Sequence, residues 1–280
     1  MLHINRSAPG RSGLDGKHSA PAWEADIVST NIVGYQKVAL QPGFNLIGAG
    51  FVQVGTGDSF ALKDVFGGSD VDNATAGGSM LEGDLIQLFD AAAQTYTKEY
   101  YFFTANGAYG EEYDNKWYDV ADEEEPTEDE LTISALGNAT GFWYIYRGSS
   151  PASLTTSGEV SADSVTITIK PGFNCIVYPF PAEFDFTALD WATAGATAGG
   201  SMLEGDLIQI FDSAAQTYTK EYYFFTADGA YGEEYDNKWY DVADEEEPTT
   251  EKIPAGSGFW YQHRGSNTFT ITLPSPVAAE

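Results

Sequence analysis

The stretch EEYDNKWYDVADEEEP occupies residues 111–126 and recurs letter for letter at residues 233–248. It belongs to a longer repeat, because residues 75–127 match residues 197–249 at all but three positions. The differences are Leu88 against Ile210, Ala91 against Ser213 and Asn106 against Asp228. A repeat of this length, in a chain of 280 residues, predicts two homologous modules of ordinary domain size.

The repeat divides the chain into three parts. Residues 25–159 form module 1 and residues 160–280 form module 2. Residues 1–24 are polar and lack the apolar segment of a signal peptide, so we expect a disordered or extended N-terminal tail.

Both modules carry the period-two alternation of half-buried strands. SVTITIK at residues 164–170 and NTFTITLP at residues 267–274 alternate apolar residues with threonine. Residues 83–103 predict a hairpin with its turn at Asp90–Gln94, although the alanines there leave a short helix open. Glycine and proline recur at the spacing of sandwich turns. The sequence therefore predicts an all-β fold of two tandem antiparallel β-sandwich-like modules.

The chain is strongly acidic, with 42 Asp and Glu against 13 Lys and Arg and a net charge of −29. This charge repels phosphate backbones, so we predict no nucleic-acid partner. No apolar stretch is long enough to cross a bilayer, which predicts no membrane insertion. Excess carboxylates fit a saline medium, divalent cations or simple solubility, and composition does not choose among them.

Short segments recur in the same order in both modules. They are Pro42–Asn45, Gly83–Phe89, Gly141–Arg147 and Ser157–Val160 in module 1, and Pro171–Asn174, Gly205–Phe211 and Gly258–Arg264 in module 2. This arrangement resembles uncharacterised secreted β-rich repeat proteins of Verrucomicrobia-type bacteria. The resemblance implies export to an extracellular or cell-surface location, and it implies no activity and no catalytic residues.

Catalytic motifs are missing from the sequence. His3 and His18 lie in the tail, and His263 takes the place that Tyr146 has in module 1, which favours a structural or surface role. The single Cys175 replaces Leu46, as a small buried side chain would. Paired carboxylates of the acidic stretch leave a glycosidase as a residual hypothesis, but an identical pair of active sites would be unusual. We predict that the protein is not an enzyme.

The acidic stretches are candidate calcium sites, because Ca²⁺ prefers carboxylate and carbonyl oxygens from turn-rich segments. The candidate ligands are Asp114, Asp119, Asp122 and Glu123, with their copies Asp236, Asp241, Asp244 and Glu245. The same pattern is typical of a solvated acidic loop, and the sequence leaves both interpretations open. Calcium is the one cofactor that it suggests.

The aromatic residues of the same stretches are candidates for stacking against sugar rings. Tyr113 and Trp117 recur as Tyr235 and Trp239, and Tyr109 and Tyr118 recur as Tyr231 and Tyr240. A tandem pair would bind an extracellular polysaccharide with avidity. Aromatic residues of strands are also commonly core residues.

Two functional hypotheses follow from the repeat of residues 75–127 at 197–249, which predicts two equivalent surfaces. The first is a secreted structural protein, a subunit of a surface layer, filament or matrix that partners with itself. Its first strand could complete a neighbouring subunit by strand addition, through Ile32, Val33, Tyr35, Val38 and Leu40. The alternative is a pair of tandem carbohydrate-binding modules.

Overall fold

The computed structural model of the protein describes residues 32–48, 60–61, 74–126, 130–131 and 139–277. Regular structure in these residues is almost entirely β, which confirms the predicted fold class. Module 1 contains β1 (Ile32–Leu40), β2 (Gly43–Ile47), β3 (Phe60–Ala61), β4 (Leu85–Asp90), β5 (Thr95–Phe103), β6 (Lys116–Asp119), β7 (Glu130–Leu131), β8 (Phe142–Tyr146) and β9 (Ala152–Val160). Module 2 contains β10 (Val165–Ile169), β11 (Gly172–Val177), β12 (Leu207–Asp212), β13 (Thr217–Phe225), β14 (Lys238–Asp241), β15 (Asp244–Pro248), β16 (Gly258–His263) and β17 (Phe269–Leu273).

Module 1 is built on a five-stranded antiparallel sheet in the order β2-β8-β4-β5-β6, with the β1-β9 pair as a second layer. The core lies between the layers, where Leu40 and Leu154 of the pair share a cluster with Ile86 and Tyr144 of the sheet. The predicted hairpin forms as β4 and β5, and their register shifts after Leu88. The minor pair β3-β7 is separate.

Module 2 repeats this plan with the strand order β11-β16-β12-β13-β14-β15 and the β10-β17 pair. Between β11 and β12 the chain forms a 3₁₀ turn at Phe186–Ala188 and a short helix, α1, at Trp191–Ala194. The ring of Trp191 is buried and stacks on that of Tyr261, with the centroids 5.1 Å apart. Trp191 therefore anchors this connection on the core of module 2.

The large sheet of each module uses both of its faces. Along β8, Tyr144 enters the module core, while Trp143 and Ile145 point to the opposite face because successive strand residues alternate. Part of this outer face packs against the other module, through a cluster that joins Leu46 and Trp143 to Cys175 and Trp260. Other residues of the outer face line the clefts described below.

The first strand is paired within the chain. All nine residues of β1 pair with β9 of the same module, from Ile32 opposite Val160 to Leu40 opposite Ala152. The side chain of Leu40 is fully buried in the core. The predicted assembly strand, Ile32, Val33, Tyr35, Val38 and Leu40, thus completes its own module, because the partner with the matching register is adjacent in the fold.

The predicted tail of residues 1–24 lies outside the described residues. None of the helices in the part of the chain that the structure describes has the length and apolar character needed to span a bilayer.

Candidate binding clefts

The outer face of the sheet in module 1 carries a floor of aromatic rings. Tyr101 and Phe103 come from alternate positions of β5, and Tyr118 comes from the neighbouring strand β6. The ring centroids of Phe103 and Tyr118 are 5.0 Å apart, those of Tyr101 and Phe103 are 6.0 Å apart, and both pairs are edge-to-face. These side chains form one packed cluster, so the floor is rigid.

The loop between β5 and β6 forms one wall of the cleft. Tyr109 on this loop is 75% exposed, and Tyr113 is half-buried. The hydroxyl of Tyr118 donates to the backbone carbonyl of Tyr113 at 3.1 Å, which ties the wall to the floor. The loop also contains left-handed residues, with φ of 53° at Asn106 and 80° at Gly107. Its shape is thus set by specific backbone turns.

Asp114 holds the same loop from inside. Its carboxylate accepts hydrogen bonds from the backbone N–H of Ala105 at 2.6 Å and of Gly107 at 2.5 Å. These N–H groups stabilise the charged form and hold the pKa of Asp114 below its ordinary value. The side chain serves as a brace for the wall.

Glutamates also line the cleft. Burial raises the pKa of Tyr101 to about 12, and the negative charge of the neighbouring Glu123 adds to this effect because it disfavours a second negative charge on the phenol. Glu124 also borders the cleft, and no Lys or Arg does so among the described residues. The cavity has a volume of about 760 Å³ and is lined by Gly78, Tyr101, Phe103, Thr104, Ala105, Ala108, Tyr109, Tyr113, Tyr118, Glu123 and Glu124.

Module 2 carries an equivalent cleft. Its volume is about 580 Å³, and its lining residues are Gly200, Tyr223, Phe225, Tyr231, Tyr235, Tyr240, Glu245 and Glu246. Asp236 repeats the brace by accepting from Ala227 and Gly229, and burial together with Glu245 raises the pKa of Tyr223 to about 12. The outermost ring, Tyr231, is again 75% exposed. Two clefts with the same chemistry are therefore present in one chain.

The predicted calcium ligands do not converge. Asp114 braces the cleft loop, Asp119 accepts from the backbone N–H of Ala121 at 2.8 Å, and Asp122 accepts from that of Glu124. The copies Asp236, Asp241 and Asp244 make the same contacts, while Glu123 and Glu245 lie beside Tyr101 and Tyr223. Among the described residues, no three His, Cys, Asp or Glu side chains form a group that could hold a metal. The six aspartates therefore accept hydrogen bonds from the backbone of their own turns and loops.

The predicted stacking residues divide into two groups. Trp117 and Trp239 are only 2% and 3% exposed and belong to the module cores, so the structure removes them from the predicted platform. Tyr113 and Tyr235 do line the clefts, and so do Tyr109, Tyr118 and their copies.

Sequence reasoning missed the floor residues Tyr101 and Phe103, with their copies Tyr223 and Phe225. The signal was the alternation of KEYYFF, residues 98–103, which places Tyr100 and Phe102 on one face and these two on the other.

His263 lies in the interior of module 2, with only 3% of its surface exposed. Its Nδ1 is 2.8 Å from a carboxylate oxygen of Asp206, and its Nε2 is 2.9 Å from the backbone carbonyl oxygen of Asn267. Asp206 also accepts from the hydroxyl of Tyr261 at 2.6 Å. The histidine is therefore part of a buried hydrogen-bond network away from the clefts.

Comparison with known proteins adds no relative to this picture: no family model, no curated protein and no solved structure matches the chain.

Proposed function

We propose that the protein is a non-catalytic, bivalent binding protein of the cell surface or extracellular space, whose two clefts hold stretches of a polysaccharide. The observation that carries this proposal is the duplication of the cleft, with tyrosines, glutamates and the bracing aspartate repeated in both modules. A ligand that fits one cleft fits the other. A polymer with a repeating unit is the partner that uses both clefts at once.

The cleft chemistry suits sugars. Tyrosine offers an apolar ring face for the carbon face of a sugar and a hydroxyl for hydrogen bonding. Glu123 and Glu124 in one cleft, and Glu245 and Glu246 in the other, add acceptors for sugar hydroxyls. Cavities of about 760 and 580 Å³ lie in the size range of small-molecule sites, so each holds a short stretch of polymer.

Charge narrows the class of polymer. Each cleft is bordered by carboxylates, and the whole chain carries a net charge of −29. An anionic polymer would be repelled from both clefts, whereas a neutral or amine-bearing polymer would not. We therefore propose a neutral or amine-bearing polysaccharide as the ligand.

The test compares three soluble polymers: a neutral glucan, an amine-bearing polymer of glucosamine, and an anionic polymer of uronic acids. Titration calorimetry should show binding to at least one of the first two and none to the third. Replacing only Tyr109 by Ala should weaken binding by about 10²-fold because avidity is lost, and Y109A/Y231A should abolish it. Both rings are 75% exposed, so their removal leaves the core intact.

Tyr35→Ala is the matched control, because this tyrosine is 62% exposed and lies outside both clefts. Its binding should equal that of the unaltered protein. Failure of both the neutral and the amine-bearing polymer to bind, or full binding by Y109A/Y231A, would overturn the proposal.

The structural-subunit hypothesis stays a prediction beside this proposal, as does calcium binding. Strand addition through β1 would require that strand to leave β9, with which it forms nine residue pairs. Electron microscopy of the purified chain with and without Ca²⁺ tests both, since filaments or sheets would favour the subunit hypothesis.

A further inference from the structure

The two modules contact each other through glutamine side chains that bond to backbone. Gln216 at the β12-β13 turn accepts from the N–H of Phe44 at 2.8 Å and donates to its carbonyl at 2.9 Å. Gln94 at the β4-β5 turn bonds to Phe173 with the same two distances. Phe44 and Phe173 lie on the edge strands β2 and β11. Each glutamine side chain therefore makes the two backbone hydrogen bonds that a neighbouring strand would make there.

The aromatic contacts at this interface are reciprocal too. Phe89 of module 1 packs edge-to-face on Trp260 of module 2, with ring centroids 4.9 Å apart. Phe211 of module 2 packs on Trp143 of module 1 at 4.8 Å. All four rings belong to the cluster that joins the modules. Phe89 and Phe211 are equivalent in the repeat, as are Trp143 and Trp260.

Backbone hydrogen bonds cross the interface in the same way. The N–H of Gly48 donates to the carbonyl of Gly256 at 3.1 Å, and the N–H of Val177 donates to that of Ala139 at 2.8 Å. Gly48 and Val177 are equivalent positions, and so are Gly256 and Ala139. The contact thus has the self-complementary form of a two-fold symmetric dimer interface, in which each partner supplies both halves.

We propose that this surface pairs modules between chains as well as within one, so that two copies of the protein exchange modules and form a closed dimer. In that dimer, module 1 of each chain contacts module 2 of the other through the same contacts that the single chain shows. The proposal does not depend on what the clefts bind. A dimer of this kind presents four clefts in place of two.

The connection between the modules sets the concentration at which exchange occurs. β9 ends at Val160 and β10 begins at Val165, so residues 161–164 alone separate them. A short linker gives the partner module an effective concentration on the order of millimolar. The single chain is then favoured at micromolar concentration, and the exchanged dimer gains weight as the protein approaches millimolar concentration.

Interface strength should change the rate of exchange and leave the amount of dimer unaltered. Two single chains and one exchanged dimer contain the same number of module contacts. A variant that weakens the contact therefore destabilises both forms equally. It lowers the barrier to opening, because opening breaks the contact.

The experiment mixes two preparations of the full chain that carry donor and acceptor fluorophores at their C-termini. The proteins are incubated near 1 mM, because this is about the effective concentration that the linker gives the partner module. After dilution, we expect light scattering to show a species of twice the chain mass, and this species should show energy transfer. Q94A/Q216A should reach the same dimer fraction on the order of 10²-fold faster, since four hydrogen bonds are lost from the interface.

The matched control is Q87A/Q209A. These glutamines lie on the same hairpins, and each bonds to a glutamate of its own module, Glu99 or Glu221. This variant should exchange at the rate of the unaltered chain. Absence of a dimer, or acceleration in the control equal to that in Q94A/Q216A, would overturn the proposal.

A protease site inserted after Ala162 gives a second measurement that does not depend on refolding. When the folded chain is cut there, we expect the two halves to elute together at micromolar concentration. Halves that separate would show that the surface does not suffice without the covalent link, and the proposal would fail.

Discussion

The side chain of Gln216 satisfies both backbone groups of Phe44, a residue 172 positions earlier in the chain. Gln94 does the same for Phe173. Both glutamines have left-handed backbones, with φ of 55° and 54°, which turns each side chain towards the other module. Each module thereby covers an exposed sheet edge of its neighbour.

We first predict that these glutamines couple the unfolding of the two modules. Each residue supplies two intermodule hydrogen bonds, whose loss costs about 1–3 kcal/mol in total. Calorimetry of the unaltered chain should show one cooperative transition, and Q94A/Q216A should show two. Gln216→Glu keeps the acceptor but places a carboxylate oxygen against the carbonyl oxygens of Phe44 and Ser213, so its effect should be at least as large as that of Gln216→Ala. A single transition in the double variant would contradict this coupling.

A second prediction concerns Gly43, which has a φ of 100°. An added Cβ at this position would clash with Oε1 of Gln216. Gly43→Ala therefore combines backbone strain with displacement of the glutamine, and we expect it to cost about 2–4 kcal/mol. Gly107→Ala is the control. This residue has φ of 80° and no atom within 4 Å of the added Cβ, so only the strain remains. Urea denaturation should show a clearly larger loss for Gly43→Ala.

The sequence predicts the modules and their strands because the repeat and the alternation are local patterns. It does not predict which face of a strand enters the core. Trp117 and Tyr118 are neighbours on β6, so one must face inward and one outward, and the pleat decides which. Here Trp117 packs on Tyr144 in the core, while Tyr118 joins the cleft floor. The stacking prediction therefore identified the right stretch and the wrong ring.

The acidic stretch shows a second reason for the difference. Proximity in sequence suggested shared calcium ligands, but carboxylates one turn apart bond to their own backbone, as Asp119 does to the N–H of Ala121. The module interface lay beyond prediction for another reason. Its contacts join residues such as Gln94 and Phe173, and no local pattern records that they meet.

The third prediction is that acid loosens both clefts. Backbone N–H groups hold the pKa of Asp114 and Asp236 below the ordinary value, so these groups stabilise the loops above the unfolded pKa, near 4. That contribution is lost as the pH falls through the lower, folded pKa. Amide exchange protection of Ala105 and Gly107, measured by NMR, should fall in this range. Asp114→Asn should show weaker protection without this pH step, while the loop of module 2 keeps it.

The fourth prediction concerns a buried position where the two modules carry different polar side chains, His263 and Tyr146. His263 bridges Asp206 and the carbonyl of Asn267, whereas module 1 places Tyr146 there and leaves Asp84 bonded to Tyr144 and backbone.

His263→Ala should destabilise module 2 by about 3 kcal/mol, since it opens a cavity and removes a partner from a buried carboxylate. His263→Tyr restores the side chain that the fold already accommodates in module 1, so its cost should be less than half as large. Calorimetry of module 2, resolved in the Q94A/Q216A background, measures both. An equal loss of stability in the two variants would contradict this prediction. It would show that the hydrogen bond between His263 and Asp206, and not the volume of the side chain, sets the stability at this position.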